Sequence, residues 1–159
     1  MNQALYSAYV KILEEELVPA MGCTEPIALA YAAALARKAL GEMPQSVEVH
    51  VSANIIKNVK SVVVPHTGGL RGIGAAVAAG IVAGDADREL EVLSAVTEEQ
   101  VEAMAAYLKD TPISIAASDN GYIFDIQIRA NAGEHTAFVQ IAGSHTNVIR
   151  VEKDGVVLR

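Results

Sequence analysis

The sequence predicts an α+β fold of Ala/Gly-rich helices packed with an antiparallel β-meander, and three observations carry that prediction. Apolar residues recur at helical spacing in the first two-thirds of the chain, where Leu5, Tyr9, Ile12, Leu13 and Leu17 share one face. After Pro112 the pattern switches to period two, in short runs separated by Asp119-Asn120-Gly121, Asn131–Glu134 and Lys153-Asp154-Gly155. The composition is 52% apolar but only 4% aromatic, without Trp. The core is therefore built from Ala, Val, Ile and Leu, side chains that let backbones approach closely.

Taken in order, residues 4–18 read as an amphipathic helix with Glu14, Glu15 and Glu16 on its solvent side, closed by Pro19. Residues 24–40 form a second helix, very rich in Ala. Thr24 can cap it, Pro26 sits in the first turn where its missing N–H costs nothing, and Gly41 ends it. Its small side chains predict burial against another backbone. Ser46–Ser52 alternates strictly, with Val47, Val49 and Val51 on one face, and reads as a strand that joins the later sheet. Lys60–Val64 is a short strand-like run ending at Pro65. The glycine-rich segment Thr67–Gly74 then opens an apolar helix to about Ala83. Residues 86–95 and 97–109 read as further helices, the second with a capping box from Thr97 and Gln100. Ile113–Ala117, Tyr122–Ala130, His135–Ala142, Asn147–Glu152 and Val156–Leu158 are the predicted strands. The chain thus divides into a mainly helical part, 1–110, carrying the 46–52 strand, and an antiparallel sheet over 112–158.

The formal net charge of -7 argues against nucleic acid or an anionic membrane as partner. No apolar run approaches the roughly 18 residues that span a bilayer. The N-terminus lacks a basic stretch followed by an apolar one, as a signal peptide would have. A single cysteine forms no internal disulfide. These features predict a cytoplasmic protein. The chain stops at Val156-Val157-Leu158-Arg159, inside an expected strand, which suggests the N-terminal part of a longer chain.

Several residue groups can carry chemistry. The segment Thr67-Gly68-Gly69-Leu70-Arg71-Gly72-Ile73-Gly74 follows a strand-like run and opens a helix. It lacks the third small residue of a dinucleotide fingerprint and the Gly-Lys-Ser/Thr of a P-loop. Two readings remain: backbone N–H groups holding a small anion such as a carboxylate, or close helix packing through glycine. Cys23 immediately precedes a helix, where the macrodipole favours a thiolate; a small buried hydrophobe is the alternative. Asn54, Lys57 and Asn58 share one face of a helical turn and could hold a carboxylate, or lie solvated on the surface. His50 and His135 read as surface residues, and His66 abuts the glycine segment. His145 lies in the polar loop cluster Gly143-Ser144-His145-Thr146-Asn147, which suits a site or simple turn chemistry. No pair of histidines has zinc-finger spacing, and there is no HExxH.

Four blocks occur in order: Met21-Gly22-Cys23-Thr24-Glu25-Pro26-Ile27-Ala28, Ser52-Ala53-Asn54-Ile55-Ile56-Lys57-Asn58, Val64-Pro65-His66-Thr67-Gly68 and Ala142-Gly143-Ser144-His145-Thr146-Asn147. With them the chain resembles, over nearly its whole length, the N-terminal part of the L-cysteine desulfidases, relatives of the iron–sulfur L-serine dehydratase α chain. The resemblance implies a [4Fe–4S] cluster on three cysteines, of which Cys23 matches the first and the others would lie in the remaining C-terminal part of the same protein. One thiolate cannot hold such a cluster, so this chain alone is expected to be inactive. The implied reaction is β-elimination from L-cysteine or L-serine, with the open iron as Lewis acid and pyruvate and ammonia as products.

In that reading Cys23 is the metal ligand, and Asn54, Lys57, Thr67, Gly68 and Thr146 bind a small amino-acid substrate. His145 and Asn147 serve proton transfer or orientation. The resemblance implies no pyridoxal phosphate, although Lys57 or Lys60 would be its Schiff-base lysine under a rival mechanism. Cys23 is expected at the start of the 24–40 helix, partly accessible, with Thr67–Gly69 and Asn54–Asn58 converging on it in one cleft. The alternative is a non-catalytic amino-acid-binding or regulatory module. The choice between cysteine and serine and the state of oligomerisation, including a homo-oligomer, stay open.

Overall fold

The computed structural model describes residues 2–16 and 24–159, with residues 12–16 described in their backbone alone. Among the described residues five α-helices, α1 (Gln3–Glu16), α2 (Thr24–Leu40), α3 (Ala53–Val59), α4 (Gly72–Ala83) and α5 (Glu98–Asp110), accompany six strands. The strands are β1 (Ser46–Val51), β2 (Ile113–Ala117), β3 (Asp125–Ala132), β4 (His135–Ala142), β5 (Val148–Lys153) and β6 (Val156–Val157). They form one sheet in the order β2-β1-β3-β4-β5-β6. The α+β prediction holds, with the meander running from β3 to β6.

The 46–52 run joins this sheet, yet the sheet is mixed. β1 pairs antiparallel with β3 and parallel with β2. The connection from β1 to β2 passes through α3, α4 and α5, and a crossover of that kind delivers the second strand parallel to the first. Register explains the burial. Val47, Val49 and Val51 of β1, Ile126, Ile128 and Ala130 of β3, and Ala137, Val139 and Ile141 of β4 all face the helices and are buried. The opposite face is polar: Glu48, His50 and Arg129 are exposed on it, with Gln127 and Gln140 half-buried.

The Ala-rich α2 is buried over most of its length and packs on β3 and β4. Beside it lies α4, whose residues are buried on every side. The two helices run parallel. Gly80 lies against the Ala30 carbonyl, Gly84 against the Ala34 side chain, and the Arg37 guanidinium donates to the Ile81 carbonyl. On α1 the side chains of Leu5, Tyr6 and Tyr9 are about half exposed.

Several elements differ from the sequence prediction in more than an end residue. Lys60–Val64 is one arm of a small closed loop: the Val64 N–H donates to the Leu70 carbonyl, the Gly72 N–H donates to the Val62 carbonyl, and Val63 bridges Arg71. The predicted helix over 86–95 is a short 3-10 segment, Ala86–Glu91. Glu89 leaves helical geometry there (φ 50°, ψ -116°), and the Asp85 N–H reaches over to the Val92 carbonyl, closing the segment as a loop. β3 begins at Asp125 rather than Tyr122, because Asn120 Oδ1 accepts the Tyr122 N–H and holds that stretch in a turn. β3 also extends to Ala132, opposite His135, leaving a two-residue hairpin turn of Gly133 and Glu134.

Candidate functional site

Chain direction gathers loops at one end of the sheet. α2 returns into β1 through residues 41–45, so its start lies level with the end of β1. Because α4 runs parallel to α2, it begins at the same end. Two helix N-termini, with their partial positive charge, therefore face the side where β1 gives way to α3 and β4 turns into β5.

His145 sits in the β4–β5 turn at this end. Asn147 closes that turn: its Nδ2 donates to the Ala142 carbonyl at 2.8 Å, and the Ala142 N–H donates to the Asn147 carbonyl at 3.1 Å. The Gly143 N–H ties the turn to β3 through the Phe124 carbonyl at 3.0 Å. The His145 ring packs on the Phe124 ring, centroids 4.5 Å apart and planes 52° inclined. Its Nε2 is buried and makes no hydrogen bond. Burial lowers the His145 pKa from the ordinary 6.5, and the nearby Glu25 carboxylate, in the first turn of α2, works in the opposite direction. Burial is the larger effect, so the ring is held toward its neutral form. A buried nitrogen without a partner costs about 1–3 kcal/mol, which a ligand supplying the missing bond would recover.

On the other side of Phe124 lies a fully buried carboxylate. Asp125 Oδ1 accepts from Gln140 Nε2 at 2.8 Å, and Oδ2 accepts from Gln127 Nε2 and Asn120 Nδ2, both at 2.9 Å. The Asp125 N–H donates to Ser52 Oγ, and the Ser52 N–H donates to the Asp125 carbonyl. Three neutral amide donors thus replace the water that a buried carboxylate loses. The network pins the 118–124 segment beside the start of α3. A cleft of about 240 Å³ opens there, lined by Ser52, Ala53, Asn54 and residues 118–123. Ser118 Oγ is buried on this wall without a partner, and Asp119 is the lining's single charged residue.

The site residues expected from sequence separate into three places. Asn54 lines the cleft, while Lys57 is exposed one turn further along α3 and outside the lining. His145, Thr146 and Asn147 share the β4–β5 turn. Thr67 is buried in its own loop, where its hydroxyl donates to the Val64 carbonyl at 2.7 Å and accepts the Leu70 N–H at 3.1 Å. Gly68 packs toward Val101 of α5, where a Cβ would approach Val101 Cγ1 to 2.9 Å. Two N–H groups of the glycine segment, those of Leu70 and Gly72, are used within the loop. Cys23 lies outside the described residues, as does the expected convergence on it. Sequence reasoning missed Phe124, Asp125, Ser118 and Asn120 as parts of the site. One signal was present for Asp125: an aspartate between Phe124 and Ile126 at a strand start is a residue type that strands disfavour.

The chain's own donors do not fit a cubane cluster. It has one cysteine, and among the described residues no three His, Cys, Asp or Glu side chains converge on a metal position. Among those residues no helix is long and apolar enough to cross a membrane.

The chain is similar to a UPF0597 protein of Desulfitobacterium hafniense, with 50% identity over 153 residues, 96% of this chain and 36% of the relative. UPF0597 proteins of Lachnoclostridium phytofermentans and Treponema denticola are 47% and 40% identical, over 96% and 99% of the chain and 37% of each relative. The chain spans a little over a third of the length of the relatives it matches. No family model and no solved structure matches it. These relatives carry a family designation and no named enzyme activity. The expectation of an L-cysteine desulfidase or iron–sulfur L-serine dehydratase is overturned by this finding. Short motif blocks suggested that family, whereas similarity along nearly the whole chain leads to proteins not described as lyases.

Proposed function

We propose that the end of the sheet where α2 and α4 begin binds a small zwitterion of amino-acid size. The observation that carries this reading is the buried, unpartnered Nε2 of His145, beside Glu25 and against Phe124. The charge arrangement supports a ligand with both signs. Two parallel helix starts favour a carboxylate. The cleft by Asn54 has one carboxylate and no cation in its lining, together with the free Ser118 hydroxyl, and suits an ammonium group. The two halves flank Phe124 and Asp125, tied by the Gly143 and Ser52 N–H bonds. His145, held toward neutrality by burial, can accept a proton from a bound ligand or donate a hydrogen bond to it.

The test is a titration of the isotope-labelled chain with amino acids, with amines lacking the carboxylate and with acids lacking the amine. Zwitterions should shift the resonances of His145, Phe124, Asn54 and Asn120 together, and each single-charge analogue should bind more weakly. His145→Phe and Asn54→Ala should each weaken binding by about tenfold, the worth of one hydrogen bond. Unmoved His145 and Asn54 resonances across the whole panel would overturn the assignment.

A further inference from the structure

The loop that walls the cleft contains the chain's only Asn-Gly pair, Asn120-Gly121. Both residues are exposed, nothing lies within 4 Å of where a Gly121 Cβ would be, and the Gly121 N–H makes no hydrogen bond among the described residues. Asn120 Oδ1 accepts the Tyr122 N–H at 3.2 Å, which draws electron density from the side-chain carbonyl carbon. Its Nδ2 donates to the buried Asp125 carboxylate at 2.9 Å. We propose that Asn120 is a self-modification site, where deamidation breaks the clasp on Asp125 and irreversibly opens the 118–123 loop. Neither a ligand nor a partner is required.

The chemistry needs only water. The Gly121 backbone nitrogen attacks Cγ of Asn120 and loses its proton to solvent. The new N–Cγ bond closes a five-membered succinimide as the Cγ–Nδ2 bond breaks and the nitrogen leaves as ammonia. Water then opens either ring carbonyl, giving aspartate or isoaspartate at this position without any change in oxidation state. Glycine removes the Cβ that would obstruct ring closure at every other residue type. The product carries a carboxylate where an amide donor faced Asp125. Two carboxylates at hydrogen-bond distance cannot both ionise, so one binds a proton or the loop swings away.

Incubation of the folded protein at mildly alkaline pH, followed by intact mass and peptide mapping, tests this. The expected result is the mass gain of an amide-to-acid conversion at Asn120 and at no other asparagine, with isoaspartate detectable by enzymatic methylation, while circular dichroism stays native. Gly121→Ala, or Asn120→Gln should the first variant fold poorly, should abolish the gain. Asn120→Asp should lower the unfolding midpoint more at mildly alkaline pH than at acidic pH, because a protonated carboxyl there can donate to its neighbour and restore the clasp. An intact Asn120 after a peptide spanning 118–123 has fully converted would overturn the proposal. So would an Asn120→Asp variant with the parent's dependence of stability on pH.

Discussion

At the scale of single residues, two buried polar groups meet opposite fates. Asp125 is enclosed completely, yet each carboxylate oxygen receives at least one amide donor, so its charge is accommodated. His145 keeps one nitrogen buried and unmatched. This difference yields a pH prediction. Burial lowers the folded-state pKa of His145 below the ordinary 6.5 that it recovers on unfolding. Between those two values the unfolded chain binds more protons, so stability falls as the pH drops through 6.5 toward the folded value. Above that window the contribution is fully present. Chemical unfolding across this range should show the decline in the parent, and His145→Phe should remove it while keeping a ring against Phe124. An unchanged pH profile in the variant would assign the decline to other groups.

Between elements, α2 and α4 approach each other closely through small residues. Small residues on α2 meet Gly80 and Gly84, and a Cβ at Gly80 would intrude on the Ala30 carbonyl oxygen, an atom of the backbone that cannot rotate away. Overpacking of this kind costs about 1–3 kcal/mol and exceeds the gain in helix propensity of about 1 kcal/mol from replacing glycine. Gly80→Ala should therefore lower stability in urea unfolding, against the usual direction for this exchange inside a helix. Because α2 begins near His145, where Glu25 acts on its ring, the same substitution should perturb the His145 environment, visible in its ring resonances.

For the whole molecule, the layered arrangement predicts where the backbone opens first. α2, α4, β1, β3 and β4 hold the buried core, whereas α1 exposes Leu5, Tyr6 and Tyr9, and β6 is a short edge strand with both side chains exposed. Amide hydrogen exchange should be slowest in the first group and fast in α1 and β6, since local opening there uncovers little apolar surface. Protection of α1 equal to that of α2 would mean that α1 docks on the core.

The periodicities by themselves determined the α+β class, the long buried Ala-rich helix, the inward faces of the strands and the capping box at Thr97. Each depends on neighbours a few residues apart, so local spacing contains the information. Asn54 and the His145 turn stood out as candidates for the related reason that polar clusters interrupt apolar patterns. Only the tertiary structure decided that β2 lies parallel to β1, because the direction of a strand depends on how its crossover packs. It likewise decided that Thr67 spends its hydroxyl inside its own loop, and that Asp125 meets Asn120, Gln127 and Gln140. Gln140 reaches Asp125 only through strand register, and the nearer partners of Thr67 and Asp125 meet only because their loops close, which a pattern of residue types does not encode.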